Sequence, residues 1–284
     1  MKLKFFLLPA LLFIATAAAH AWDAGGHQLI DAIAARKLRP EVVQQIDALL
    51  PLLDARFHQG RPYDFVAAGT WMDDMRGLGR DYKWARWHYI DIPCEGDRFV
   101  EPPPPHALWA LDQATEVLRN KNAEPKARAE ALGQIIHLVG DIHQPLHVAD
   151  RKDRGGNDVP IAPFATSGSG PKNLHAFWDE AWRYDAQKGQ ITEMQFISTP
   201  SLALYKEATA CILVPFAWRA WAYETHAIAC ENGWPQKGVS GDQDAPVQLT
   251  PAFVHAAHEI ALKRIALAGE RLAALLNDLL GEGK

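Results

Sequence analysis

Twice along this chain a histidine is followed four residues later by an aspartate: His137 with Asp141, and His175 with Asp179. On a helix that spacing puts imidazole and carboxylate on one face. Leu132, Ile136 and Val139 form an apolar stripe beside the first pair, where an unpaired polar group would be costly to bury. His147 follows beyond Pro145. Upstream, Asp73 lies in Thr70-Trp71-Met72-Asp73-Asp74-Met75-Arg76, and His88 lies in Trp84-Ala85-Arg86-Trp87-His88-Tyr89-Ile90-Asp91. At the front, Trp22-Asp23-Ala24-Gly25-Gly26-His27 follows a leader-like stretch. A bared α-amine on Trp22 would chelate a metal together with its own carbonyl, and His27 would add a further donor. Zinc takes imidazole nitrogen and carboxylate oxygen at about 2.0–2.2 Å, and a catalytic zinc uses about three protein ligands. The candidates Trp22, His27, Asp73, His88, His137, Asp141, His147, His175 and Asp179 therefore suffice for three metals if one carboxylate bridges two of them. Taken singly, a histidine on an apolar face is a hydrogen-bonded core residue, and a spaced His/Asp pair is a surface pair. The recurrence of the pattern carries the metal reading.

Lys2 and Lys4 form a basic start, Phe5 to Ala18 is almost wholly apolar, and Ala19-His20-Ala21 fits a small-x-small cleavage site. The apolar core is shorter than the roughly 20 residues of a membrane span. Residues 1–21 are therefore expected to be a signal peptide, and residues 22–284 an exported chain, secreted or periplasmic, without a membrane span. Without the two leader lysines, 27 basic residues face 34 acidic ones, a net charge of −7. A basic nucleic-acid-binding surface is not indicated, so handling of phosphates would need bound metal for positive charge. Of Cys94, Cys211 and Cys230, two can pair in an oxidising compartment. Cys211 with Cys230 is the more local pairing, and the sequence leaves connectivity open. No stable protein partner is implied.

The elements that must position these residues read as helices. Helical periodicity runs over Gln28 to Leu38, Glu41 to Leu53, Asp64 to Met75, Ala107 to Leu118 and Lys126 to His143. Asn173 is placed to cap a helix through Trp182, Pro215 lies near the start of one reaching Cys230, and Thr250-Pro251 opens one to Leu280. Trp87 to Ile92 is the one short strand candidate. Pro102 to Pro105, Asp150 to Gly170 and Asn232 to Pro246 read as loops. With no linker or repeat, the expected fold is all-α, a single mainly helical domain with long loops.

These residues together resemble the zinc-dependent single-strand-specific nucleases and 3′-nucleotidases of fungi and plants, whose fold is shared with bacterial zinc phospholipase C. The resemblance runs from Trp22 to about Leu280. It rests on Trp22 with Gly26-His27, Trp71 to Arg76, His88 to Asp91, His137 through Gly140-Asp141 to Gln144-Pro145-Leu146-His147, Gly155-Gly156-Asn157, Asn173 to Asp179, and Ala268 to Ala273. It implies one zinc on Asp73, His88, His137 and Asp141, a second on Trp22, His27 and the shared Asp141, and a third on His147, His175 and Asp179. It also implies a base stacked on Tyr89 and met at its edge by Asp91, with single-stranded DNA and RNA and nucleotides as substrates. Arg76, three residues from Asp73, is expected to neutralise charge on the phosphoryl oxygens; the competing reading is a plain surface ion pair. Two other readings stand: a zinc phospholipase C, in which Glu rather than Asp would be usual at position 179, and a non-catalytic exported zinc-binding protein.

Overall fold

Every residue of the second half of helix α5 (Pro125–Asp141) from Ala131 onward is buried, which fixes where the rest of the chain must lie. A helix that is covered on all sides needs partners on all sides. The computed structural model describes residues 22–96, 99–163, 170–185, 189–190, 217–236 and 245–281. Around α5 pack α1 (Ala24–Ala35), α2 (Pro40–Leu49), α4 (Ala107–Arg119) and α8 (Pro251–Leu280), with α4 the most extensive neighbour. The short α3 (Trp71–Asp74) also touches α5, while α6 (Leu174–Glu180) and α7 (Ala217–Asn232) meet the 3₁₀ turn Pro145–His147 that follows it. The chain is all-α in class; among the described residues the strands are β1 (Tyr184–Asp185) and β2 (Gly189–Gln190), an antiparallel pair with Tyr184 opposite Gln190.

Local chemistry sets the helix ends. Asp23 caps α1 by accepting the Gly26 N–H at 2.9 Å, Asn173 caps α6 by accepting the Ala176 N–H at 2.8 Å, and Thr250 caps α8 by accepting the Phe253 N–H at 3.2 Å. Proline opens α2, α5 and α8, where its missing N–H costs nothing. Among the described residues no helix is long and apolar enough to cross a membrane.

Three expectations change. The helix expected over Asp64 to Met75 is a relay of a 3₁₀ turn (Ala67–Thr70), α3, and a 3₁₀ stretch (Met75–Asp81). Gly79 at φ 60° breaks the last piece, and the tighter winding stacks residues three apart. Trp87 to Ile92 is no strand: a 3₁₀ turn covers Ala85–His88, and the extended residues after it make isolated bonds, Ile90 N–H to the His147 carbonyl at 2.8 Å and Asp150 N–H to the Ile92 carbonyl at 2.9 Å. The disulfide joins Cys94 to Cys230 across 136 residues, not the more local pair, because α7 brings Cys230 to the segment following Ile92, with Cα atoms 5.3 Å apart. Residues 1–21, Cys211, Pro215 and parts of the two long loops lie outside the described residues.

Candidate metal centre

The C-terminal turn of α5 presents His137 and Asp141 on one face, as their spacing requires. Asp141 is fully buried and collects three imidazoles: His88 Nδ1 is 3.1 Å from Oδ2, His137 Nε2 is 3.3 Å from Oδ2, and His27 Nε2 is 3.4 Å from Oδ1. The rings of His27 and His137 stack with centroids 4.1 Å apart, and His88 stands edge-on to His137. Asp73 closes the group, its Oδ1 lying 3.8 Å from His88 Nδ1 and 3.9 Å from His137 Nε2. Each element contributes little: α1 brings His27, α3 brings Asp73, and the turn before Tyr89 brings His88.

A second cluster lies where α6 meets the turn after α5. His147 Nε2 and His175 Nε2 are 3.1 Å apart, and Asp179 Oδ1 is 3.9 Å from His175 Nε2. All three side chains are buried. Donor atoms close enough to hold an ion therefore occur as His27/His137/Asp141, as Asp73/His88/His137 and as His147/His175/Asp179. A fourth such group, Cys94/His226/Cys230, has both sulfurs tied up in the disulfide and offers no thiolate.

Outer contacts orient the rings. His137 Nδ1 donates to the Gly69 carbonyl at 2.6 Å, His147 Nδ1 to the His88 carbonyl at 2.7 Å, and His175 Nδ1 to the Gly155 carbonyl at 2.7 Å. A carbonyl only accepts, so in each case Nδ1 carries a proton and Nε2 is the nitrogen turned toward the cluster. Gly155 can do this because it sits at φ +61°, where a Cβ would meet the Leu146 carbonyl at 2.5 Å. Its loop is tied by Asp150, which accepts the Gly155 N–H at 3.0 Å.

The electrostatics differ between the clusters. Burial favours the neutral form of every imidazole. It dominates at His27, which is lowered, and at His88, lowered to about 4. At His137 burial is outweighed by the Asp141 and Asp73 carboxylates, which raise it to about 9. Burial likewise opposes ionisation of Asp141, but His137 and the two other imidazoles beside it hold that carboxyl well below its usual range. Asp179 goes the other way: burial pushes it well above the usual carboxylate range, against one hydrogen bond from Gln144 Nε2 at 2.6 Å.

The remaining expected residues fall around the first cluster. Arg76 Nε bonds Asp73 Oδ1 at 2.7 Å; both side chains are less than a fifth exposed, so the pair is not a plain surface one. Trp22 is fully buried and its indole N–H donates to the Gly140 carbonyl at 3.0 Å, beside Asp141, while the Asp23 N–H bonds the Asp179 carbonyl at 3.1 Å. The first residues of the segment thus span both clusters. Tyr89 is half-buried, and its carbonyl accepts the Ala107 N–H at 3.0 Å. Asp91 reaches solvent yet is crowded by protein; this desolvation, with Asp150 nearby, lifts it to about 6 against Arg86 and Arg154.

Some contributors carry weak sequence signals. Gln144 lies within a recognised segment but has no ligand chemistry to single it out. Asp31 is four residues after His27, a third instance of the His/Asp spacing. It does not join a cluster of donor atoms: its carboxyl turns to Gly69, where a Cβ would lie 1.9 Å from Oδ2. The Gly69 backbone approaches Asp31, but neither oxygen completes a hydrogen bond.

Comparison with known proteins relates the chain to nucleases over nearly all of its described length. A family model described as S1/P1 Nuclease matches residues 22–281. Endonuclease 2 of Arabidopsis thaliana is 28% identical over 287 residues, covering 92% of this chain and 91% of the relative. Nuclease P1 of Penicillium citrinum is 23% identical over 289 residues, covering 92% and 98% respectively. Nuclease S1 of Aspergillus oryzae is 31% identical over 83 residues, 29% of this chain and 27% of the relative.

Proposed function

The chain belongs to the S1/P1 nuclease family and is a phosphodiesterase hydrolase acting on nucleic acids, and from that premise we propose an exported, zinc-dependent endonuclease that cuts single-stranded DNA and RNA to 5′-phosphate products and also removes 3′-phosphates from nucleotides. One observation carries the metal part. His27 Nε2 and Asp141 Oδ1 are buried, face each other at 3.4 Å, and have no hydrogen-bond partner. Buried polar atoms without a partner are costly, and a divalent cation between them satisfies both once the imidazole nitrogen is unprotonated. The donor set of imidazole and carboxylate without thiolate suits zinc.

Three zincs are assigned as follows. Asp73, His88, His137 and Asp141 hold one. The Trp22 amine and carbonyl, His27 and Asp141 hold a second, which requires removal of residues 1–21. His147, His175 and Asp179 hold the third. When bound, zinc supplies Lewis acidity toward the phosphoryl oxygens and the attacking water.

The chain's own groups do the rest. Arg76, held by Asp73, offers its guanidinium to charge that grows on the phosphoryl oxygens. Asp73 thus orients a cation as well as ligating. Gln144 holds Asp179 Oδ1, the oxygen 3.9 Å from His175 Nε2, and so orients the carboxyl toward the cluster. Tyr89 stacks a base and Asp91 meets its edge. Stacking contributes about 1–3 kcal/mol per base without reading sequence, and a base in a duplex must first leave its stack. Preference for unpaired strands and indifference to sequence follow. The net acidic chain is compatible with a polyanion because the metals and Arg76 provide the positive charge locally.

The test is metal analysis of the mature protein combined with cleavage of matched single-stranded and duplex oligonucleotides. Three zincs per chain and single-strand cleavage leaving 5′-phosphates are expected. A fully loaded chain that hydrolyses phosphatidylcholine but no oligonucleotide would point to the phospholipase reading, and one inert to both to a binding protein. A chain retaining one residue before Trp22 is expected to lose one zinc; normal content would refute the terminal chelate.

A further inference from the structure

Four imidazoles in the two clusters have a ring nitrogen anchored away from the carboxylates, and one of them is anchored the opposite way round. His137, His147 and His175 each donate Nδ1–H to a backbone carbonyl and turn Nε2 inward. His88 turns Nδ1 inward instead, 3.1 Å from Asp141 Oδ2 and 2.9 Å from His137 Nε2. Its outward Nε2 meets the Tyr82 hydroxyl, a side chain rather than a carbonyl. Tyr82 also lies beneath Arg76, whose Cζ is 5.8 Å from the ring centroid, within range of a cation–π contact. Trp84 stands edge-on to the same ring at 5.8 Å.

We propose that Tyr82 is a positioning residue of the paired-metal site: its hydroxyl holds the outward Nε2 of His88, keeping the ring in the orientation that presents Nδ1 to the metal and accepting the Nε2–H once metal occupies Nδ1, while its ring supports Arg76. This rests on the metal reading above. The physical reason is that an imidazole can bind metal through either nitrogen, and the partner of the other nitrogen decides which. A backbone carbonyl settles that choice for the three other rings and no point mutation removes it. At His88 the ring's orientation rests on one hydroxyl, which donates to the neutral metal-free ring and accepts from the metal-bound one. His88 is buried, so no solvent replaces the phenol if it is lost. The same residue then sets the orientation of a metal ligand and the placement of the guanidinium bound to Asp73, linking metal affinity to phosphate binding through one ring.

Two measurements on the mature chain test this. In the first, metal-free wild type and Tyr82→Phe are titrated with zinc against a competing chelator, then with cobalt to read the visible spectrum, after melting curves confirm that both fold. One equivalent is expected to bind about 10- to 100-fold more weakly in Tyr82→Phe, the usual cost of losing an outer partner, with an altered cobalt band. Tyr82→Leu, which also removes the ring, is expected to add a rise in KM. In the second, nitrogen-15 NMR of the zinc-loaded wild type is expected to find His88 protonated at Nε2, opposite to His137, His147 and His175. Wild-type affinity and spectrum in Tyr82→Phe, or a proton on His88 Nδ1, overturns the assignment. A wild-type chain that takes up no zinc overturns the underlying metal reading and this inference with it.

Discussion

The two clusters use the same side-chain types yet store their proton in different places. Around Asp141 three imidazoles share one carboxylate, and His137, raised to about 9, carries a positive charge that keeps Asp141 ionised. Around Asp179 two imidazoles lie close, but burial raises the carboxyl well above its usual range against the hydrogen bond from the Gln144 amide. Without metal, the carboxylates favour a proton on His137 in the first cluster, and burial favours one on Asp179 in the second. Metal binding at either place competes with the proton held there. Position on the chain explains the contrast: Asp141 sits at the meeting of α1, α3, α5 and the His88 turn, whereas Asp179 is reached from α6 and a single turn after α5.

Breaking the shared carboxylate should separate the clusters most sharply. Asp141→Asn is expected to lose both metals of the first cluster while keeping the third, with nuclease activity falling on the order of 10³-fold, since each ion is worth several kcal/mol in the transition state. Metal content per chain and initial rates check this, and full metal loading with normal activity would remove the bridging role. Next in size, Arg76→Lys keeps the charge but not the planar fork, and is expected to lower kcat about 10²-fold with unchanged metal content. A matching loss of zinc would assign Arg76 to the metal site instead. On the other side of the contrast, Gln144→Leu should weaken the third metal about 10- to 100-fold and leave the other two alone, which competition with a chelator resolves.

The smallest effect is a pH slope in the metal-free protein. His137 has a folded value of about 9 against an ordinary 6.5. A group raised on folding stabilises fully below its unfolded value and loses that contribution as pH rises through its folded one. Melting temperature of the metal-free wild type should therefore fall between about pH 6.5 and 9, and Asp141→Asn should flatten the slope. A slope unchanged in that variant would break the proposed charge coupling.

How far the sequence speaks depends on what kind of constraint is involved. The His/Asp spacing on α5 and α6, the caps at Asn173 and Thr250, and the proline starts are local, and the structure follows them. The 3₁₀ relay from Ala67 to Asp81 was hidden because apolar periodicity near 3.6 does not distinguish one continuous helix from short tighter pieces. The bond from Cys94 to Cys230 was hidden because only the path of α7 brings them together. His27 with Asp31 is the instructive case: its spacing matches the other pairs, yet Asp31 faces Gly69 and not a donor cluster. Spacing fixes a helix face, and packing decides what that face meets.

That contact also constrains how the protein can change over generations. Gly69 holds the carbonyl that steers His137, and Asp31 occupies the space any larger residue there would need. Alanine at position 69 is accessible only after position 31 has been shortened, whereas the reverse order passes through a misfitted ancestor. The pair is thus a local case of epistasis, in which the sequence of substitutions, and not merely their identity, decides which descendants keep a working centre.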